Sequence, residues 1–505
     1  MIMRPIFGYV MAALMLSVTY SSATAEQLVI MHTNDTHSYL TCPESDCGGM
    51  DRLAVLVDSV RRAEPHTLLV DAGDAVQGTL YFNLYGGVVE QQVMNYMGYD
   101  LRILGNHEFD NGADSLAVVL QGARSKFLCS NYHFSDPRLA GRFSRYEVRT
   151  VGGRRIGFLA LNVDPDGLVA KGRADGVQYS DAIESANRLA LWLRQQQHCD
   201  VVVALTHIGL DSSQLPNDTM LVAHTENIDV LIGGHSHTVI NDPLRLPNRV
   251  GRSVLVAQTG RYARNLGLVK IDLEQLTATS ELVAVTSRLD SRLDPAFAQI
   301  LAPYRRGVEV SMHTPIATAA MDFPQKSPQL LNWVSDAVYT VGSALTDRKI
   351  DFAMYNIGGV RSGFEGDTVY EGVMITILPF SNRVEVIEIA GRDLLPAFTQ
   401  MASIGGSGVS EQVRITYVPQ PADSDAKATL TAVTINGEPL DEDRMYVVAM
   451  TDYLSGGGDY MPTLAKHNLL AYSPNNLYQD VLEMLRRSSE PMSASTTVRM
   501  TPSTK

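Results

Sequence analysis

The chain has 505 residues, too many for one ordinary hydrophobic core, so two domains are the natural expectation. Apolar residues make up 45% and charged residues 19%, a balance that excludes a disordered or fibrous chain. A formal net charge of −14 argues against a nucleic-acid polymer or an anionic membrane surface as the main partner. An anionic substrate would therefore need a local grip, such as metal ions.

Residues 1–25 are expected to be removed rather than folded. Arg4 supplies a positive start, residues 6–18 an apolar run too short to span a bilayer, and Ala23-Thr24-Ala25 a small-x-small ending. This is the pattern of a cleavable signal peptide, so a periplasmic or secreted product is expected. No cysteine follows the cleavage point and residues 501–505 are polar, so no membrane anchor is expected. In an exported chain, Cys42 and Cys47 bracket a turn-forming stretch and are expected to close a small disulfide loop. Cys129 and Cys199 lie beside apolar runs, and both a pair and two buried thiols remain open.

From residue 27 to about 290, short apolar runs alternate with helix-like segments, which predicts α/β layering. Strands are predicted at 28–31, 68–70, 101–104, 201–205 and 229–232. Residues 294–310 read as a connecting helix. Beyond 347 a second pattern follows, with strands predicted at 352–355, 384–389 and 413–418 and glycine-rich turns at 405–408 and 456–458. No repeat of solenoid period is present.

The polar residues fall where five of those strands end. The first leads into His32-Thr33-Asn34-Asp35-Thr36-His37, the second into Asp71-Ala72-Gly73-Asp74. The third leads into Gly105-Asn106-His107-Glu108-Phe109-Asp110, the fourth into Thr206-His207-Ile208-Gly209, the fifth into Gly233-Gly234-His235-Ser236-His237. Sites in layered α/β folds form beyond the carboxyl ends of strands, so five such loops converge on one cavity if the strands share a sheet. Histidine and carboxylate donors suit Zn²⁺, Mn²⁺ or similar ions, and this set is too large for one ion but suits two bridged by a carboxylate. A closed structural site would favour cysteines instead.

Taken in order, these motifs resemble those of the calcineurin-like metallophosphoesterases, and in their fuller forms the 5′-nucleotidase branch. Asn356-Ile357-Gly358-Gly359-Val360-Arg361, Leu378-Pro379-Phe380-Ser381-Asn382 and Tyr453-Leu454-Ser455-Gly456-Gly457-Gly458-Asp459 are similar to that branch's C-terminal signatures. The resemblance implies a four-layer α/β metallophosphoesterase sandwich over 26–293, a linker helix over 294–312 and an α/β (α+β) substrate-binding domain over 313–505. It also implies two divalent metal ions, Zn²⁺ first, with Mn²⁺, Co²⁺ or Mg²⁺ as alternatives. Asp35, His37, Asp74 and His237 would hold one, and Asp74, Asn106, His207 and His235 the other. His107 with Asp110 matches the catalytic pair, beside Asn106. Asn356, Arg361, Tyr453 and Asp459 would bind a small nucleotide substrate. In the family a second aromatic stacks on the base, but residues 407–413 contain none. The expected activity is hydrolysis of nucleotides of the 5′-nucleotidase type. Alternatives on the same metals are a 2′,3′-cyclic phosphodiesterase, a nucleotide-sugar hydrolase or a sulfur-ester hydrolase. A catalytically dead nucleotide-binding surface protein is the alternative of a different class. The oligomeric state is not encoded in any motif.

Overall fold

The computed structural model describes residues 26–42, 45–211, 215–419 and 427–503. The expected signal peptide, residues 1–25, lies outside the described residues.

Two six-stranded sheets form the N-terminal half. The first runs in the order Ala278–Ala284, Asn265–Asp272, Gln27–Thr33, Thr67–Asp71, Leu101–Arg102, Lys126–Phe127. The second runs Leu244–Pro247, Ser253–Ala257, Val230–Ile232, Val201–His207, Arg154–Asn162, Tyr146–Val151. Strand Gln27–Thr33 shows why these runs are continuously apolar: Leu28 and Ile30 face the other sheet, while Val29 and Met31 face helices. The space between the sheets is filled by side chains such as Val70, Phe158, Val203 and Val230. Helices Met50–Ala63 and Val88–Met97 cover the outside of the first sheet. Helices Ala182–Gln195 and Asp218–His224 cover the second. Met50, Leu53, Ala54 and Val57 recur at helical spacing, which gives Met50–Ala63 its buried stripe. The result is the expected four-layer sandwich.

One expectation needs correction, and one condition is met in another way. The five loop-bearing strands are divided between the two sheets of the sandwich: three belong to the first and Val201–His207 and Val230–Ile232 to the second. Within each sheet they are parallel neighbours, so their carboxyl ends still reach one rim. Strands buried on both faces carry no alternation that tells one sheet from the other. Cys42 and Cys47 do not close a loop; both are free thiols. Cys47 is held by a backbone bridge to Thr286, and its sulfur lies 3.9 Å from Ser45 Oγ. Cys129 and Cys199 are also free, and the Cys129 thiol lies 3.4 Å from Asn162 Oδ1.

The C-terminal half is built on a five-stranded sheet ordered Gly408–Val409, Phe352–Tyr355, Met445–Thr451, Val384–Ala390, Asn468–Tyr472. Helices Pro328–Ala344 and Leu477–Arg487 pack on one face. Helix Gly391–Ser403 and a four-stranded sheet containing Val413–Val418 pack on the other. Between the halves runs helix Pro295–His313. It starts where Asp294 accepts a bond from Ala296 N–H and Pro295 takes the first helical position. Phe297 and Leu301 are buried in the N-terminal core, and Val308 packs against both cores. No helix among the described residues is long and apolar enough to cross a membrane.

Because Leu301 is fully buried at this junction, Leu301→Ala should destabilise the protein by about 2–5 kcal/mol. Urea unfolding checks this, and an unchanged midpoint would mean that the helix is not anchored there.

Candidate active site

At the rim shared by the two sheets the backbone itself is unusual. Asp35, His37, Asp74, His235 and His237 all adopt left-handed φ values, between 49° and 74°. Such residues are uncommon outside glycine, and they cluster where surrounding structure forces them for a purpose. Here the forcing comes from neighbouring loops. Asp35 N–H bonds Gly73 O at 2.9 Å, and His37 N–H bonds Asp74 O at 3.1 Å. His235 N–H donates to both oxygens of Asp35, at 3.2 and 3.0 Å. Each loop is thus pinned by another.

The side chains then converge. Asp35, His37 and His237 form one group, and Asp74, His207 and His235 another; within each, ligand atoms lie within 4.8 Å of one another. His37 and Asp74 also group with His107. Asn106 Oδ1 stands 3.0 Å from His235 Nδ1.

The donor set fits cations. His37 Nδ1 lies 3.3 Å from the Val76 carbonyl and His207 Nδ1 2.7 Å from that of Ala72. A carbonyl can only accept, so in the neutral rings Nδ1 carries the proton and Nε2 presents a lone pair. His37 Nε2 is 3.0 Å from His237 Nε2, and the His237 ring, which takes a hydrogen bond from Arg261 at Nδ1, can donate there. The His207 lone pair meets no donor: it points at Asp74 Oδ2, 3.1 Å away and without hydrogen-bond geometry. Without metal, only a proton can relieve that contact. Burial opposes charging His207, yet the Asp74 carboxylate outweighs it and lifts the imidazole to about 10. Burial is the main cause that holds His235 down, at about 4. A divalent cation is the other species that satisfies both partners at once.

Glu108 is the residue that sequence reasoning missed. Its carboxylate accepts three backbone N–H bonds: Ala75 at 2.8 Å, Asp74 at 3.1 Å and Gly105 at 2.6 Å. It therefore ties the Asp74 loop to the Asn106–His107 loop from beneath. Its place in the motif was visible, but nothing in the spacing says that it points backwards. Gly105 has its own reason: a Cβ there would lie 2.1 Å from Asp74 Oδ1.

Beside these groups His107 Nδ1 bonds Asp110 Oδ2 at 2.9 Å. Burial pulls its pKa down, but the Asp110 and Asp74 carboxylates win and raise it above the ordinary value. The C-terminal half meets it here: Arg361 Nη2 is 3.1 Å from His107 Nε2. Phe380 stacks on the His107 ring at 5.8 Å, and the Arg361 guanidinium lies 5.1 Å from the Phe380 centroid. A cavity of about 250 Å³ opens between the halves, lined by Asp74, Asn106, His107, Asp110, His235 and His237 on one side. Asn356, Arg361, Phe380, Tyr453 and Asp459 line the other. Tyr453 OH bonds Asp459 Oδ1 at 2.7 Å, and Asn356 bonds the same carboxylate.

Every sequence-predicted site residue therefore lies at this one junction, Asp35, His37 and His207 buried behind its wall. The segment without an aromatic does not. Ser407 Oγ accepts the Ile357 N–H, and Gly408 sits where a Cβ would be 3.1 Å from the Leu331 carbonyl and 2.3 Å from Ser335 Oγ. At Gly408 there is no room for a ring.

Comparison with known proteins gives the same ordering of parts. Residues 28–239 match the calcineurin-like phosphoesterase family, and residues 312–466 match the 5′-nucleotidase C-terminal domain. The chain belongs to the 5′-nucleotidase family. As a member of it, the chain is a phosphoester hydrolase, in a class that uses divalent metal ions. The crystal structure of a 5′-nucleotidase precursor from Thermus thermophilus is similar at a TM-score of 0.82 and 26% identity. That alignment covers 95% of this chain and 100% of the other. An apyrase of Tabanus yao is 25% identical over 96% of this chain and 97% of its own length. A trifunctional nucleotide phosphoesterase of Bacillus subtilis is 26% identical over 92% of this chain, which spans only 34% of that protein.

Two outcomes test the site. Gly105→Ala in this nucleotidase fold should push Asp74 aside and lower both metal content and phosphate release, the latter by at least roughly a hundredfold. A variant that keeps its metal and its rate would refute the Asp74 assignment. Because metal must displace the proton between His207 and Asp74, loading the apoprotein should release protons, and affinity should weaken as pH falls. Calorimetry in buffers of different ionisation enthalpy measures this; proton-neutral loading would contradict it.

Proposed function

We propose that this chain is an exported, dinuclear metal-dependent phosphohydrolase that releases phosphate from nucleotides, a 5′-nucleotidase in type. One observation carries the reading: the two ligand groups and the His107–Asp110 pair face Asn356, Arg361, Tyr453 and Asp459 across a single cavity. The catalytic unit is placed at 26–293, the linker at 294–312 and the substrate unit at 313–505. Asp35, His37, Asp74 and His237 would hold one cation, and Asp74, Asn106, His207 and His235 the other, with Asp74 between them. Zn²⁺ is the first candidate, since imidazole and carboxylate are its usual ligands. When bound, such cations polarise the phosphoryl group and lower the pKa of a nearby water.

The residues supply the rest. Arg361 is a fork suited to phosphate oxygens, and its present partner, His107 Nε2, is free to turn to the substrate once phosphate takes the guanidinium. Asp110 fixes the His107 tautomer through Nδ1 and favours the imidazolium. His107 then faces the developing charge on phosphoryl and leaving-group oxygens. Asn356 and Asp459 offer polar groups to the sugar, and Tyr453 offers a ring to the base.

The deciding experiment is phosphate release from a panel of nucleoside mono-, di- and cyclic phosphates after chelation and reconstitution with each divalent metal. Release from 5′-monophosphates is expected. Release from cyclic nucleotides alone would favour the sibling phosphodiesterase, and no release with any metal would reject hydrolysis of nucleotides. Asp74→Asn should abolish turnover and lower metal content together. His107→Ala should retain metal and lose about 10²–10⁴ in kcat; loss of metal in that variant would make His107 a ligand instead.

A further inference from the structure

The catalytic half sends one segment across to the substrate half. Residues 163–176 leave strand Arg154–Asn162 as a series of turns, with Leu168 and Val169 N–H bonded to the Pro165 carbonyl. The carbonyl of Gly167 accepts two bonds from the C-terminal half: Tyr453 OH at 3.2 Å and Asp459 N–H at 3.0 Å. Further along, Arg173 Nη2 donates to Ser381 O at 3.1 Å. The segment is therefore fastened at two points to the very residues that face the substrate. Gly167 has φ of 81°, and a Cβ there would meet the Tyr460 ring at 3.4 Å, so its backbone lies directly against the 453–460 turn.

Between the two fastenings Leu168 and Ala170 line the cavity together with Tyr453, Asn356 and Asp459. They are the cavity's purely aliphatic side chains, and both come from the catalytic half. Residues 407–413 are locked into the sheet and contribute nothing to the wall.

We propose that residues 163–176 are a specificity element, in which Leu168 supplies the apolar surface that the leaving group's base contacts in addition to Tyr453. This rests on the nucleotide reading of the site. The Gly167 carbonyl sets the position of Tyr453 and Asp459, and the adjacent Leu168 side chain closes the slot around a flat, weakly polar group. Leu168 packs on its inner side against the core beneath the second sheet, and a phosphate ester with no base leaves only its cavity-facing surface uncovered. Discrimination for nucleotides over sugar phosphates is then made by a residue of the catalytic domain, remote from the phosphate.

The test compares adenosine 5′-monophosphate with ribose 5-phosphate on wild type, Leu168→Ala and Leu168→Met. Truncating a half-buried leucine forfeits part of its apolar contact, so Leu168→Ala should raise KM for the nucleotide about three- to tenfold. The kcat for the nucleotide and both constants for ribose 5-phosphate should stay within about twofold, because an aliphatic side chain offers neither a ligand to the metal nor a hydrogen bond to phosphate. Leu168→Met should restore the nucleotide KM. Equal losses on both substrates would make Leu168 a structural residue and overturn the inference, as would an unchanged nucleotide KM. A wild type that hydrolyses ribose 5-phosphate but no nucleotide would overturn the functional reading itself, and this inference with it.

Discussion

The Asp74 carboxylate is the point on which the rest depends. It is buried, faces His207 Nε2 at 3.1 Å and His107 Nε2 at 3.9 Å, and accepts the His107 N–H at 2.9 Å. Burying a charge in this way is costly unless opposite charge is assembled around it. Burial pushes its pKa up, but the surrounding histidines more than reverse this and hold it well below the carboxylate range. The two sheets can therefore close at this rim only with cations or protons in place. Glu108, Gly105 and the left-handed loop residues are the means by which Asp74 is kept where that charge is needed.

A second consequence concerns division of labour. Among the described residues, the groups that could hold a metal come from the N-terminal half, whose rim loops are bonded to one another. The residues proposed to face the nucleotide come mainly from the C-terminal half, near the ends of strands Phe352–Tyr355 and Met445–Thr451. His107 stands where the halves touch. Arg361 and Phe380 approach it from the substrate side, so the group suited to proton transfer senses the substrate domain directly. In the proposed reading, chemistry and recognition would be coupled through one imidazole.

Much of this was legible in the sequence because the site is written in loops. Short polar strings such as Gly105-Asn106-His107-Glu108 follow apolar runs closely enough that strand ends and ligands could be located together. The architecture was less legible. A run such as Val201–His207, buried on both faces, looks the same whichever sheet it joins. The predicted strand at 101–104 stops at Arg102, and the Ile103 N–H makes its last ladder bond, to Asp71 O. The roles of Glu108, Phe380 and Leu168 escaped notice for a common reason. Their importance lies in which way a side chain points across a gap, and no periodicity records that.

The linking helix is also a tether. At 19 residues it is about 28 Å long, and Val308 roots it in both cores. Among the described residues, direct polar contacts between the halves include Ser381 Oγ with Asn111 Oδ1 at 2.8 Å, and each such bond contributes only about 0.5–1.5 kcal/mol. Such contacts would not hold two free proteins together. Joined by a short, stiff link, the substrate half meets the metal rim at an effective concentration on the order of millimolar or above. Weak polar contacts then suffice, and Leu80, which the catalytic half sends into the C-terminal core, is the buried side chain that a parting of the junction would have to uncover.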